Sequence, residues 1–265
     1  MPHATREGVS LFYETFGDPK TPALVFLHPL STNRFVWAHH ALAFAPTHHV
    51  VLVDHRGHGR SDRPATGYGV DSLSADLRAV LEHAGISRAT LVGNSIGGMI
   101  ALQTALDVPE RVAALFVVSS ATNLLPLVPK EVLVAYETRF GAAWSFMTQG
   151  ATSARTKRER PEVAAFLEGA WCSSNFSPDV FLASMRDPNG VFGWNVEARL
   201  GELRVPTHVT AGDEDRTMPL ASTKLLADQI PGATFSVVPE VGHYLELERP
   251  HELTEQLRAL LARAS

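Results

Sequence analysis

Ala23–His28, Val50–Asp54, Thr90–Gly93 and Val112–Ser119 are short runs that are apolar throughout, not at every second residue. A strand with one wet face alternates apolar and polar positions, whereas a strand covered on both faces does not. Between the runs lie segments with helical spacing. Ser72–His83 places Leu73, Leu77, Val80 and Leu81 on one face and stops near Gly85, and Ile96–Leu106 stops before Pro109. Strand and helix alternate, so the chain is confined to the α/β class, with a mostly parallel sheet flanked by helices. Val9–Phe16 precedes Ala23–His28, and the turn residues Gly17-Asp18-Pro19 between them predict a hairpin.

The alternation breaks after Ser120. From Ala121 to Asn195 no strong strand signal occurs, and Pro126, Pro129, Pro161, Pro178 and Pro188 separate helical stretches. Ten of the 21 aromatic residues fall in this segment, an enrichment that suits a lid over an apolar pocket or a helical subdomain with its own core. Alternation resumes with Thr207–Ala211, a helix near Leu220–Gln229, Thr234–Val238 and a last helix near Pro250–Arg263. The predicted organisation is a core of residues 1–120 and 196–265 carrying a helical cap over 121–195.

Composition narrows the function. With 45% hydrophobic residues, the 265-residue chain has the apolar mass for a sizeable core. A formal net charge of −5 makes nucleic acid a poor partner. The single cysteine, Cys172, permits neither an internal disulfide nor a cysteine-rich zinc framework, and no His-Glu-x-x-His spacing occurs, so no metal and no other cofactor is expected. The N-terminal residues lack an apolar signal region, and the apolar runs are far shorter than a bilayer span. The expectation is a soluble, cytoplasmic protein without membrane contact, compatible with a homodimer that the sequence does not specify.

Gly93-Asn94-Ser95-Ile96-Gly97 joins an apolar run to a helix. Glycines on either side leave room for a tight strand-to-helix turn that lifts the Ser95 hydroxyl above the sheet. The same turn puts the Ile96 N–H at a helix N-terminus, where negative charge is favoured. A serine hydroxyl needs a base. Of twelve histidines, His243 stands apart in Val241-Gly242-His243-Tyr244 after the last apolar run, while the pairs His39-His40 and His48-His49 read as surface residues. The base in turn needs a carboxylate to hold its tautomer. Asp213, Glu214 and Asp215 follow Thr207–Ala211. Asp215 is preferred because the loop must travel past the strand end to reach the histidine, and Asp213 is the other candidate. The other strand end where an acid could stand holds Ser119-Ser120, without a carboxylate.

The order Ser95, Asp215, His243 resembles the α/β-hydrolase superfamily over nearly the whole chain. The resemblance is carried by Leu27-His28-Pro29-Leu30, by Asp54-His55-Arg56-Gly57-His58-Gly59-Arg60-Ser61, by Gly93–Gly98, by Gly212–Pro219 and by Gly242-His243. It implies an acyl-enzyme mechanism with an oxyanion hole made by the Ile96 and Leu30 amides; Pro29 stands where many relatives carry glycine. The loop Pro29-Leu30-Ser31-Thr32 is similar to that of small enol-lactonases of the 3-oxoadipate enol-lactonase type. The implied activity is hydrolysis of a small carboxylic ester or lactone. Carbon–carbon bond hydrolases and cofactor-free haloperoxidases or perhydrolases keep the same triad, and a ligand-binding member without catalysis is the alternative from another class. The pocket is expected to involve His28, Pro29, Trp144, Phe146, Trp171 and Trp194. Arg155-Thr156-Lys157-Arg158-Glu159-Arg160 is either a solvated face or an attractor for a carboxylate-bearing substrate.

Overall fold

A computed structural model describes residues 2–170 and 177–264. Among these, the strands are β1 (His3–Arg6), β2 (Val9–Phe16), β3 (Ala23–Leu27), β4 (His49–Val53), β5 (Ala89–Asn94), β6 (Val112–Val118), β7 (Thr207–Gly212) and β8 (Thr234–Val238). They form one sheet in the order β1-β2-β4-β3-β5-β6-β7-β8. β4, β3, β5, β6, β7 and β8 are parallel neighbours, and β1 and β2 add an antiparallel edge.

The helices are α1 (Ala38–Phe44), α2 (Val70–His83), α3 (Ile96–Asp107), α4 (Lys130–Thr138), α5 (Phe140–Ala151), α6 (Ala154–Glu159), α7 (Pro161–Ala170), α8 (Pro178–Arg186), α9 (Leu220–Gln229), α10 (Leu245–Glu248) and α11 (Pro250–Ala264). One sheet face, with Val25, Leu27, Leu91, Leu115, Val117 and Val209, packs against α2, α3 and α9. The other, with Leu24, Phe26, Val92, Phe116 and Val118, packs against α1 and α11. Successive side chains of each strand point to opposite faces, and both faces are buried, which is why the runs are apolar throughout.

The predicted hairpin is absent. β2 pairs with β1 and β4, and β3 lies between β4 and β5. The turn at Gly17 (φ +82°) carries the chain past residues 45–48, so closely that a Cβ there would stand 2.1 Å from the His48 carbonyl oxygen. A fully apolar strand gains more from two parallel neighbours in the sheet centre than from an edge partner. β1 had no sequence signal beyond its four residues.

Residues 121–195 leave the sheet after β6 and return before β7. An isolated antiparallel bridge, Asn123 to Asn195, closes the two ends of the excursion. Within it Tyr136, Trp144, Leu167 and Phe181 form a separate apolar cluster that also takes in Tyr244 from the sheet side. Phe181 lies edge-on to Trp144 at 5.0 Å and 4.8 Å from Tyr136. Tyr136, Trp144 and Phe181 thus give the segment an apolar core of its own.

Candidate active site

Ser95 ends β5 and caps α3 with φ +57° and ψ −119°, a conformation a side-chain-bearing residue adopts only under strain. The surroundings enforce it. The Ser95 N–H donates to the Val118 carbonyl at 2.9 Å, and Ser120 Oγ donates to the Ser95 carbonyl at 2.8 Å. The turn closes because its neighbours lack side chains: a Cβ on Gly93 would lie 2.2 Å from the Gly97 oxygen, and one on Gly97 would lie 2.2 Å from the Leu27 oxygen.

His243 follows β8, and its Nδ1 lies 2.9 Å from Asp215 Oδ2. Asp215 Oδ1 accepts the Thr217 and Met218 N–H groups at 2.9 and 2.8 Å. A carboxylate with one oxygen held by two backbone donors presents the other as an acceptor, so Nδ1 carries the proton and Nε2 is the basic nitrogen. Burial pushes His243 down. The charge and hydrogen bond of Asp215, with the charges of Glu246 and Glu248, outweigh this and hold it above its ordinary 6.5. The other two carboxylates of the loop have different work. Asp213 is exposed and braces Val241 through a 3.4 Å contact with its N–H. Glu214 accepts the Ala154 N–H at 2.8 Å.

The loop after β3 is held from beneath by three buried imidazoles. His28 Nε2 accepts the His55 N–H at 3.1 Å, so its Nδ1–H donates to the Pro29 carbonyl at 2.8 Å. His55 Nε2–H donates to the His28 carbonyl at 3.0 Å. His58 Nε2 accepts the Ser31 N–H at 3.0 Å while its Nδ1–H donates to Arg56 oxygen. The two bonds accepted by ring nitrogens, at His28 Nε2 and His58 Nε2, need neutral rings. Burial supplies them: His28 is held well below 6.5, with His55 pushed down to about 3 and His58 to about 4. Ser31 takes φ +66°, and Leu30 projects into the cavity. Among the described residues, neither the Leu30 nor the Ile96 backbone N–H has a hydrogen-bond partner.

Ser95, His243, Leu30 and Pro29 border one cavity of about 520 Å³. Its walls are Leu124, Val128, Val132, Trp144, Phe181 and Phe192 from the helical segment and Met218 and Pro219 from the acid loop; Glu131 and Arg216 are its charged lining. The structure thus brings Ser95, Asp215, His243, Leu30, Ile96, Pro29 and Trp144 to one place. It puts two expected pocket residues elsewhere. His28 lies under the loop as a brace. Trp194 is buried against the sheet-side core, its Nε1–H donating to Gln103 Oε1 at 2.8 Å. Trp171 and the Phe146 side chain lie outside the described residues.

Two other expectations change. His40 and His49 are buried, because α1 turns His40 inward and His49 opens β4 inside the sheet. The basic run lies away from the cavity: Arg155 pairs with Glu159 and Glu240, Arg158 with Glu159, and Arg160 donates to the Leu247 carbonyl. Sequence reasoning missed Glu246 and Glu248, which lie just beyond His243, and the bracing role of His55 and His58, which the Asp54–Ser61 motif had marked. Among the described residues, no group of three His, Cys, Asp or Glu side chains could hold a metal ion. Among the same residues, no helix is long and apolar enough to cross a membrane.

Comparison with known proteins agrees with this fold. The sequence profile of the alpha/beta hydrolase fold matches residues 22–250. A solved structure described as Est816, an N-acyl homoserine lactone degrading enzyme, is 46% identical, covers 97% of this chain and 99% of its own, and superposes with a TM-score of 0.94. 3-Oxoadipate enol-lactonase 2 of Acinetobacter baylyi is 28% identical over 98% of this chain and 96% of its own. A 2-hydroxy-6-oxononadienedioate/2-hydroxy-6-oxononatrienedioate hydrolase of Comamonas testosteroni is 27% identical over 85% and 82%. With a strained serine between strand and helix, a buried acid–histidine pair at the same sheet end and this match over most of its length, the chain belongs to the α/β-hydrolase fold family.

Proposed function

We propose that the protein is a serine hydrolase that opens a lactone or cleaves a carboxylic ester bearing an apolar acyl chain. The observation that carries this reading is the strained Ser95 on the same apolar cavity as a His243 whose tautomer is set by Asp215. Ser95 Oγ attacks the carbonyl carbon while His243 Nε2 takes its proton. The Leu30 and Ile96 N–H groups receive the developing oxyanion. His243 then gives the proton to the departing oxygen, which in a lactone stays tethered to the acyl group. Water, deprotonated by His243, releases the acid and restores Ser95.

The apolar walls favour an aliphatic acyl chain over a dianion, because a desolvated carboxylate needs a partner and the lining that offers Arg216 also holds Glu131. The names of the Est816 and enol-lactonase relatives support a lactone. We read residues 121–195 as the lid whose inner surface sets acyl length, since Leu124, Val128, Trp144 and Phe181 supply much of the wall.

The test is acid release from acyl lactones of graded chain length and matched open-chain esters, by wild type and Ser95→Ala. Turnover of lactones above esters, reduced by several powers of ten in the variant, is the expected result. A variant with near-normal rate would overturn the mechanism. Turnover of a carbon–carbon substrate with none of any ester or lactone would replace the substrate class.

A further inference from the structure

The nucleophile elbow and the histidine loop are joined by a buried polar bridge that the triad does not include. Asn94, the residue before Ser95, donates through Nδ2 both to the His243 carbonyl at 3.0 Å and to Glu246 Oε2 at 2.8 Å. Asn94 and Glu246 are fully buried. Among the described residues, Glu246 Oε1 has no hydrogen-bond partner. A carboxyl group buried with half its acceptor capacity unused costs free energy that an apolar residue would not. Pairing with Asn94 accounts for one of its oxygens and leaves the other without a protein partner.

We propose that Glu246 is a positioning residue for His243, a second carboxylate whose charge, fixed by Asn94 beside the His243 backbone, stabilises the imidazolium that forms as Ser95 reacts. This rests on the acyl-enzyme reading above. A charge whose counter-charge develops as the base takes the Ser95 proton favours the transition state over the ground state and so raises kcat.

Burial raises Glu246 to about 8, with its own backbone N–H, then the nearby His243 and the Asn94 bond, opposing the rise and Glu248 adding to it. The side chain therefore passes from neutral to charged within the working range of an esterase. The titratable groups around it are His243, Tyr244 and Glu248 on its own loop and Asp215 on the acid loop. Residues 34–37 pack on the same turn and bring Arg34, whose guanidinium is turned to Glu14 and Asp54. α11 brings His251, which lies edge-on to His39 at 4.8 Å. Arg249 donates to the Glu248 carbonyl. His243 is thus the cationic group to which Glu246 is electrostatically coupled.

The experiment compares wild type with Glu246→Gln, which keeps an oxygen for Asn94 but never ionises. The wild-type-to-variant ratio of kcat/KM should climb by about threefold to tenfold between pH 6.5 and 9, the equivalent of roughly half to one pKa unit of coupling. A ratio that stays flat across that range, whatever its value, would reduce Glu246 to a packing role and overturn the proposal. Should Glu246→Gln fail to fold, the His243 ring resonances of the wild type are followed against pH. A second inflection above the ring's own titration supports the coupling, and a single inflection refutes it. If every substrate proves silent, the rate of Ser95 labelling by a fluorophosphonate replaces kcat/KM. Absence of labelling counts against the acyl-enzyme reading, whereas labelling with a flat ratio counts against Glu246 alone.

Discussion

Replacing Asp215 by Asn changes one atom and should cost about 10⁴-fold in kcat/KM, close to 5 kcal/mol of transition-state stabilisation. The size follows from what Asp215 does with each oxygen. Oδ1 accepts the Thr217 and Met218 N–H groups, and Oδ2 accepts the His243 Nδ1–H. In the variant the amide oxygen stays with the two backbone donors, and the NH2 group faces His243. The ring must then accept at Nδ1, which moves its proton to Nε2, where it blocks removal of the Ser95 proton. Flipping the amide would rescue the tautomer. It would also set two N–H groups against the NH2, leaving buried donors unpaired at about 2 kcal/mol or more, so the inactive arrangement prevails. The control is Asp213→Asn, whose exposed side chain accepts the Val241 N–H at 3.4 Å and which should change the rate less than about threefold, as surface substitutions usually do. The assay is kcat/KM on the best ester or lactone, with thermal melting to show that both variants fold. Retention of more than a tenth of wild-type activity by Asp215→Asn, or an equal loss in Asp213→Asn, would refute the assignment.

Two further outcomes follow from the charges. His28, His40, His55 and His58 are held neutral by burial, with His40 and His55 pushed down to about 3 and His58 to about 4. Below 6.5 the unfolded chain binds protons that the folded chain refuses, so stability falls with pH by on the order of 1 kcal/mol per pH unit for each ring. Glu246, His243 and Asp54, all raised, work the other way, three groups against these four rings and the likewise lowered His39, His48, His49 and His208; a urea midpoint unchanged from pH 7.5 to 5 would contradict the neutral-histidine account of the loop after β3. Arg155→Gln with Arg158→Gln should leave kcat/KM and its salt dependence unchanged for an anionic substrate, because these side chains are paired on the surface away from the cavity; a loss confined to anionic substrates at low salt would restore the run as a steering patch.

How much of this was legible beforehand depended on the range of the interaction involved. The continuous apolar runs imply a sheet buried on both faces because that inference needs only the two-residue alternation of a strand. The Ser95 turn was legible because its cause is local: two glycines within four residues and a strand running into a helix. The preference for Asp215 over Asp213 rested on loop reach alone, and the contrast between a buried residue against His243 and an exposed one against Val241 exists only once β7 and β8 lie side by side. Partners distant in sequence remained hidden. The β2–β4 pairing, the His58 brace on Ser31 and the Asn94–Glu246 bridge, which spans 152 positions, depend on where separate elements meet. Trp194 shows the same limit, since an aromatic residue in a helical segment can face a cavity or a core with equal ease, and packing against Gln103 chose the core. The sequence by itself therefore determined the parallel strands, the elbow and the order in which Ser95, Asp215 and His243 follow one another, all set by short-range sterics and hydrophobic period. The tertiary structure alone decided which carboxylate meets the histidine, which histidines must stay neutral and which aromatics wall the cavity, because burial and charge proximity are properties of space and not of spacing.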